Sequence, residues 1–354
     1  MGAAPPESFP WHLAGDDGGQ GALFGADREV DRRLGVGEYR GLEFIHVEAR
    51  RIVNEVRNSP FDFRFTVNPY RGCSHACSYC FARPTHAYLG LDVDEDFDRR
   101  IVVKVNAVER IRAELRSPRW SGDGIAMGTN TDPYQRAEGR YRLTRGIVRE
   151  LAEVGNPFSI LTKSTLILRD LDLLQKASSR TEVRCSFSIG TLDELVWRRT
   201  EPGAPHPRRR VEALARLVDA GVTTGVLVAP VIPGMSDGPE QLEEVVQACA
   251  DAGAAWVSAI PLHLRPGVRE HFLAATAEDD PALAARLSRR YRGAYLRARE
   301  QEAITSAVLV ALGRTRWRSG APEVPQGRRA ASDPPPGLPI QDHRGAAEQL
   351  SLGW

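Results

Sequence analysis

The sequence predicts an α/β fold on a parallel sheet, and three observations carry that prediction. Short apolar, β-branched stretches alternate with longer amphipathic runs, the pattern of βαβ units. Six strand candidates fall between residues 61 and 260. Apart from the fourth, they end in compact clusters of polar, glycine or cysteine residues, and in β/α barrels the reacting groups sit at the carboxyl ends of the strands.

Taken in order, residues 1–40 are rich in Gly, Asp and Pro and predict a mostly disordered or loosely packed lead-in. Residues 41–58 carry Phe44, Ile45, Val47, Ile52, Val53 and Val56 at mixed spacing, which predicts a short strand and a turn of helix. Phe61, Phe63, Phe65 and Val67 alternate with polar residues, the period-2 mark of a first strand, and a cysteine-rich loop follows. Residues 101–105 form an extended segment, and 107–115 a helix with Val108, Ile111 and Leu115 on one face. The second strand, 124–128, ends in Thr129, Asn130, Thr131 and Asp132. A helix over 142–154 is stopped by Gly155. The third strand, 158–161, ends in Lys163 and Ser164, and a helix over 166–177 follows. The fourth, 183–189, sets Ser186 and Ser188 on the face opposite Cys185, Phe187 and Ile189. After a helix over 208–220, the fifth strand, 223–231, leads to Pro233 and Gly234. After a helix over 239–252, the sixth, 255–260, leads to His263 and Arg265, both expected to face a substrate. Residues 281–302 predict a basic helix pair or one long helix. The expected division is an N-terminal extension (1–58), a core barrel (59–270), a C-terminal helical region (271–312) and a flexible tail (313–354).

The totals narrow the function classes. A formal net charge of +1 over 354 residues gives no strong global field, so any nucleic-acid contact has to come from a local patch. Charged residues at 26% and hydrophobic ones at 42% fit a soluble globular chain. No apolar run approaches the roughly 18 residues of a transmembrane helix. The start lacks a basic segment followed by an apolar core, so no secretory signal is expected. Clustered cysteines without a disulfide-like framework fit a reducing cytoplasm.

Three of the five cysteines, Cys73, Cys77 and Cys80, form one C-x3-C-x2-C motif. Soft thiolates this close select zinc, copper(I) or an iron–sulfur cluster. Three cysteines with an open fourth position suit a [4Fe-4S] cube with one free iron, whereas electron-transfer clusters usually take four. The alternative is structural zinc with His75 or a distant group as fourth ligand. A single CxxxCxxC lacks the second ligand pair usual in zinc modules. Cys185 and Cys249 read as small buried apolar residues.

The motif, with Tyr79 just before the third cysteine, resembles the signature of the radical S-adenosylmethionine (radical SAM) enzymes. The flanking residues 68–72 and 81–83, residues 128–135 and Thr162-Lys163-Ser164 are similar to its spore photoproduct lyase-related branch, over about residues 60–270. The resemblance implies a partial (β/α)6 TIM-like barrel. It implies a [4Fe-4S] cluster on the three cysteines, S-adenosylmethionine as cofactor, and an electron donor such as a flavodoxin or ferredoxin. It implies that Thr129, Asn130, Thr131 and Asp132 lie where the cofactor's amino group is held. Lys163 beside Ser164 suits a carboxylate partner; by resemblance Ser186 and Ser188 meet the ribose or carboxylate, and Pro233 and Gly234 the adenine. Spore photoproduct lyases repair a thymine dimer and quench the product radical with a cysteine near the second strand. This chain has no cysteine between Cys80 and Cys185, and Thr129 falls near the donor's place. The expected activity is therefore radical hydrogen abstraction from an unidentified substrate. Two alternatives stand beside it: a DNA-lesion lyase, and a zinc-stabilised nucleic-acid-binding protein using Arg208, Arg209, Arg210 and the basic tail.

Overall fold

The computed structural model describes residues 31–56 and 63–317. The expectations for residues 1–30, for Phe61 and for the tail beyond residue 317 lie outside the described residues.

The chain enters through β1 (Asp31–Leu34), β2 (Glu43–Val47) and β3 (Val53–Glu55). Part of the expected loose lead-in is thus a strand; in 41–58 the expected short strand is β2, and the expected turn of helix is replaced by a second strand, β3. Both changes have one cause: paired backbones. β1 runs antiparallel to β2, and β3 antiparallel to β4 (Phe65–Val67), so each backbone finds partners that an isolated helical turn could not supply. The chain continues through β5 (Tyr70–Arg71), α1 (Glu95–Arg99), β6 (Arg100–Lys104) and α2 (Ala107–Leu115). β1, β2, β6 and β5 form a four-stranded sheet in that order, beside the barrel.

The barrel strands are β4, β7 (Ile125–Met127), β8 (Phe158–Thr162), β9 (Val183–Ser188), β10 (Thr224–Val231) and β11 (Val257–Pro261). They pair in parallel in that sequence, and β3 closes one edge as an antiparallel strand. Among the described residues β11 does not pair back to β3, so the barrel stays open. The six strands expected from the sequence are these six.

Helices alternate with them: α3 (Arg136–Tyr141), α4 (Leu143–Val154), α5 (Leu171–Ser178), α6 (Glu194–Thr200), α7 (Pro207–Asp219) and α8 (Pro239–Asp251). Three more follow, α9 (Val268–Asp279), α10 (Pro281–Arg290) and α11 (Ala298–Arg314), with α11 packed on α8 and β11. Period-2 alternation sorts each strand. Ile160, Cys185, Phe187 and Val228 are fully buried toward the helices, against Ile147, Leu151, Leu174 and Leu214. Each of the isoleucine, leucine, valine and phenylalanine side chains contributes roughly 1.5–3 kcal/mol of burial. The intervening residues face the barrel interior. α4 ends at Gly155, whose φ of +67° is the left-handed stop expected there. The single helix expected over 166–177 is instead a 3-10 turn (Thr165–Asp170) followed by α5. Ser164 caps that turn by accepting from Leu166 N, and the buried Asp170 is held by Arg145 and Arg169. No helix among the described residues is long and apolar enough to cross a membrane.

Candidate active site

The loop carrying Cys73, Cys77 and Cys80 lies at the carboxyl end of the barrel and is gripped from all sides. Gly72 opens it at φ +76°, where a Cβ would sit 2.8 Å from Phe97 O, so only glycine fits. Thr131 Oγ1 and Gln135 Nε2 both donate to Gly72 O, at 2.7 and 2.8 Å. Ser74 N donates to Gln135 Oε1 at 3.1 Å, and Cys73 N to Phe97 O at 2.9 Å. The fully buried Arg83 donates to Cys77 O at 3.1 Å and forms a bidentate pair with Asp98. Ser78 N donates to Thr200 O, and Gly203 N to His75 O, each at 3.0 Å.

All three thiols face one cavity of about 210 Å³. Burial pushes the Cys73, Cys77 and Cys80 thiols upward, so ionising them there requires a cation or cluster to offset the desolvation. Among the described residues no three His, Cys, Asp or Glu side chains close on a single metal ion. In a four-iron cube each thiolate takes a different iron, so thiols spread along one wall suit it.

The opposite walls come from strand ends. Gly128, Asn130, Thr131 and Asp132 follow β7; Leu161, Thr162 and Lys163 close β8; Ser188 ends β9; Leu227, Ala229 and Pro230 belong to β10; Pro261 to His263 close β11. Of the residues expected to bind a cofactor, Asn130, Thr131, Asp132, Lys163 and Ser188 line the cavity with the three cysteines. Their hydrogen bonds separate structural from available groups. Thr131 spends its hydroxyl on Gly72 O and Gln135. Asp132 accepts from Thr162 Oγ1 (2.6 Å), Lys163 N (2.7 Å) and Tyr134 N (2.8 Å), and lies 3.3 Å from His75 Nδ1. Burial alone would raise its carboxyl; His75 and these donors outweigh that and hold it below the usual range. Asp132 thus ties the cysteine loop to β8. Asn130 differs: its Nδ2 is buried on the cavity wall without a protein partner.

Five expected residues stand away from the cavity. Thr129 turns aside to accept from Asn68 Nδ2 at 3.3 Å. Ser164 caps the following turn. Ser186 lies one pleat below Ser188, level with Gly225, against which the Trp256 indole packs so closely that a Cβ would meet it at 2.1 Å. Pro233 and Gly234 fall beyond the rim; Gly234 N donates to Asp237 Oδ1 at 2.7 Å and the residue packs on Leu283. The β10 contribution comes earlier, at Ala229 and Pro230. His263 lines the cavity, its ring 4.7 Å from that of Tyr295, whereas Arg265 does not.

Lys163 Nζ donates to Ser188 Oγ at 2.5 Å, lies 3.4 Å from Glu201 Oε1 and 5.6 Å from the Tyr79 ring centroid. Glu201 also accepts from the Tyr79 hydroxyl and from Arg210. Sequence reading missed Glu201: it lies outside every strand end, in a stretch with no motif. Arg210, expected as a nucleic-acid contact, is fully buried, donating to Ser188 O and Pro205 O, and Arg208 pairs with Glu244. Two of the three arginines in the 208–210 run are therefore already engaged within the chain.

Two outcomes follow locally. Burial would raise the Glu201 carboxyl, but Arg210 and Lys163 outweigh it and hold it near about 2, against an ordinary value of 4.5. Its stabilising contribution is complete above pH 4.5 and is lost as pH falls toward about 2. A Glu201→Gln variant should accordingly lose less melting temperature than the parent across that interval in a pH series. Gly128, at φ +91°, would place a Cβ 2.0 Å from Leu161 O. Gly128→Ala should cost at least about 1 kcal/mol in denaturant unfolding.

Residues 67–249 match the model of the radical SAM superfamily. The chain belongs to the radical SAM superfamily. Its relatives extend the match. An uncharacterized protein of Mycobacterium tuberculosis is 41% identical over 317 residues, 89% of this chain and 93% of that protein. A protein of Pseudomonas phage M6 named radical SAM Nalpha-GlyT isomerase is 27% identical over 222 residues, 58% of this chain and 44% of its own. Spore photoproduct lyase complexed with dinucleoside spore photoproduct superposes with a TM-score of 0.58 at 14% identity, covering 77% of this chain and 79% of that one. A doubly substituted form with bound AdoMet and the same dinucleoside gives 0.56 at 16% identity, over 73% and 78%. At such identities the solved structures establish a common radical SAM fold.

Proposed function

We propose that this cavity is the reaction centre of a radical SAM enzyme, with a [4Fe-4S] cluster on Cys73, Cys77 and Cys80 and S-adenosylmethionine beside it. The observation that carries this reading is the meeting of three thiols, one ammonium and one unpartnered buried amide donor on a single cavity. When bound, the cluster supplies the electron that cleaves the sulfonium to a 5′-deoxyadenosyl radical.

The chain's own residues divide the remaining work. Lys163 donates one of its three N–H groups to Ser188 and is ion-paired with Glu201; its remaining N–H capacity meets the carboxylate of the methionyl group. Asn130 offers Nδ2 to an acceptor on the same ligand. Leu161, Leu227, Ala229, Pro230 and Pro261 make the wall largely apolar, and the low local dielectric strengthens those few polar contacts. Phe81, 48% exposed, and His263 stand at the cavity where a substrate enters. Cysteine-quenched DNA repair is not favoured, because no cysteine separates Cys80 from Cys185, and Cys185 is buried toward the helices. The test is anaerobic incubation of reconstituted protein with dithionite and S-adenosylmethionine. Release of 5′-deoxyadenosine supports the reading; an iron-loaded protein that releases none contradicts it.

A further inference from the structure

Glu201 sits on the link between α6 and α7, outside the cavity wall, yet its partners come from three separate segments. Tyr79 of the cysteine loop donates its hydroxyl to Oε1; Lys163 Nζ, past β8, lies 3.4 Å from the same oxygen; Arg210 of α7 donates to Oε2. The backbone around it holds the same loop. Ser78 N donates to Thr200 O and Gly203 N to His75 O, and a Cβ on Gly203 would meet Ser74 O at 2.2 Å. Arg210 reaches on to Ser188 O at 2.9 Å, and Ser188 holds Lys163.

We propose that Glu201 is a positioning residue for the cofactor site: it fixes the Lys163 ammonium and the Tyr79 ring against each other and couples both to the cysteine loop. The proposal rests on the reading of the cavity as an S-adenosylmethionine site. A lysine ammonium rides on a flexible four-carbon stem and holds one geometry only when its neighbours impose it. Ser188, by a hydrogen bond, and Glu201, by the ion pair, impose it here and leave N–H capacity for a ligand. Glu201 does not take the ligand itself, since it is buried behind the cavity wall. The trio of one carboxylate and two cations, buried but for Lys163 at the cavity wall, carries one positive charge, the complement of a bound carboxylate. A neutral amide at position 201 keeps the shape but leaves Lys163 and Arg210 as adjoining cations with no anion between them. Lys163 is then driven out of its place.

The experiment measures S-adenosylmethionine affinity by equilibrium dialysis, with iron and labile sulfide counted in parallel, on anaerobically reconstituted full-length protein. The variants are Glu201→Gln, Lys163→Met, their double variant, and Tyr79→Phe, which deletes only one hydroxyl, alone and with Lys163→Met. Glu201→Gln should keep its iron and bind about tenfold or more weakly, a loss of roughly one or more 1.4 kcal/mol steps. The double variant should bind no more weakly than Lys163→Met alone. Tyr79→Phe should weaken binding several-fold with iron unchanged, and this loss too should vanish in the Lys163→Met background. Wild-type affinity in Glu201→Gln, or losses that multiply in the double variant, overturns the proposal. If Glu201→Gln does not fold, unchanged affinity in Tyr79→Phe overturns it. A wild-type protein that takes up no iron, or binds no S-adenosylmethionine, instead refutes the reading of the cavity beneath it.

Discussion

Cys73→Ala, Cys77→Ala and Cys80→Ala should each lose the iron and sulfide of the reconstituted protein, and with them all release of 5′-deoxyadenosine. The loss should be chemical rather than structural. The loop is held by its backbone and by its neighbours: Thr131 and Gln135 on Gly72, Phe97 on Cys73 N, Arg83 on Cys77 O, and Thr200 on Ser78 N. None of those contacts uses a sulfur. Alanine variants should therefore fold, and circular dichroism and size exclusion should match the parent. What disappears is one of three thiolates that divide a cube between them, and two leave a second iron open. Cys185→Ala and Cys249→Ala supply the contrast. Both thiols are fully buried away from the cavity, so iron content should stay at the parental value while stability falls.

Lys163→Met carries the second large effect. Methionine keeps most of the stem's volume and removes the ammonium. Glu201 retains Arg210 and Tyr79 as partners, so no isolated buried charge is created and the protein should fold. The ligand carboxylate loses its charge-assisted hydrogen bond, worth about 1.5–3 kcal/mol, which corresponds to a roughly 10- to 150-fold weaker dissociation constant. Iron content should not change, because Lys163 binds no iron in this account. Iron loss in Lys163→Met would show that the residue supports the cysteine loop rather than the ligand.

The alternation of short strands and amphipathic helices made the barrel legible, because period-2 and period-3.6 burial leave different marks on a single sequence. Half of the second sheet was not legible: β2 and β6 fall on the short strand and the extended segment expected there, but β1 and β5 were not expected. β1 exposes all four residues, and β5 is two residues long, so neither carries a period. Their existence depends on pairing with partners distant in sequence. The site divided along the same line. Asn130 and Lys163 leave a strand at the rim and could be placed from position, Cys73, Cys77 and Cys80 from their spacing, and Ser188 only through the family resemblance. Pro233 and Gly234 were placed too far along, because the cavity lies level with Ala229 and Pro230. Thr131 and Asp132 do reach the cavity, but their polar atoms are used in holding loops together, a distinction that only hydrogen-bond partners reveal. Glu201 and Arg210 have no signature at all: a buried ion pair between a helix and a link looks, in sequence, like two surface charges.

Metal and acid-labile sulfide analysis of protein prepared without oxygen tests the central claim most directly. The account predicts about four irons and four sulfides per chain, lost together when any one of Cys73, Cys77 or Cys80 is replaced. One zinc per chain with no sulfide would contradict it.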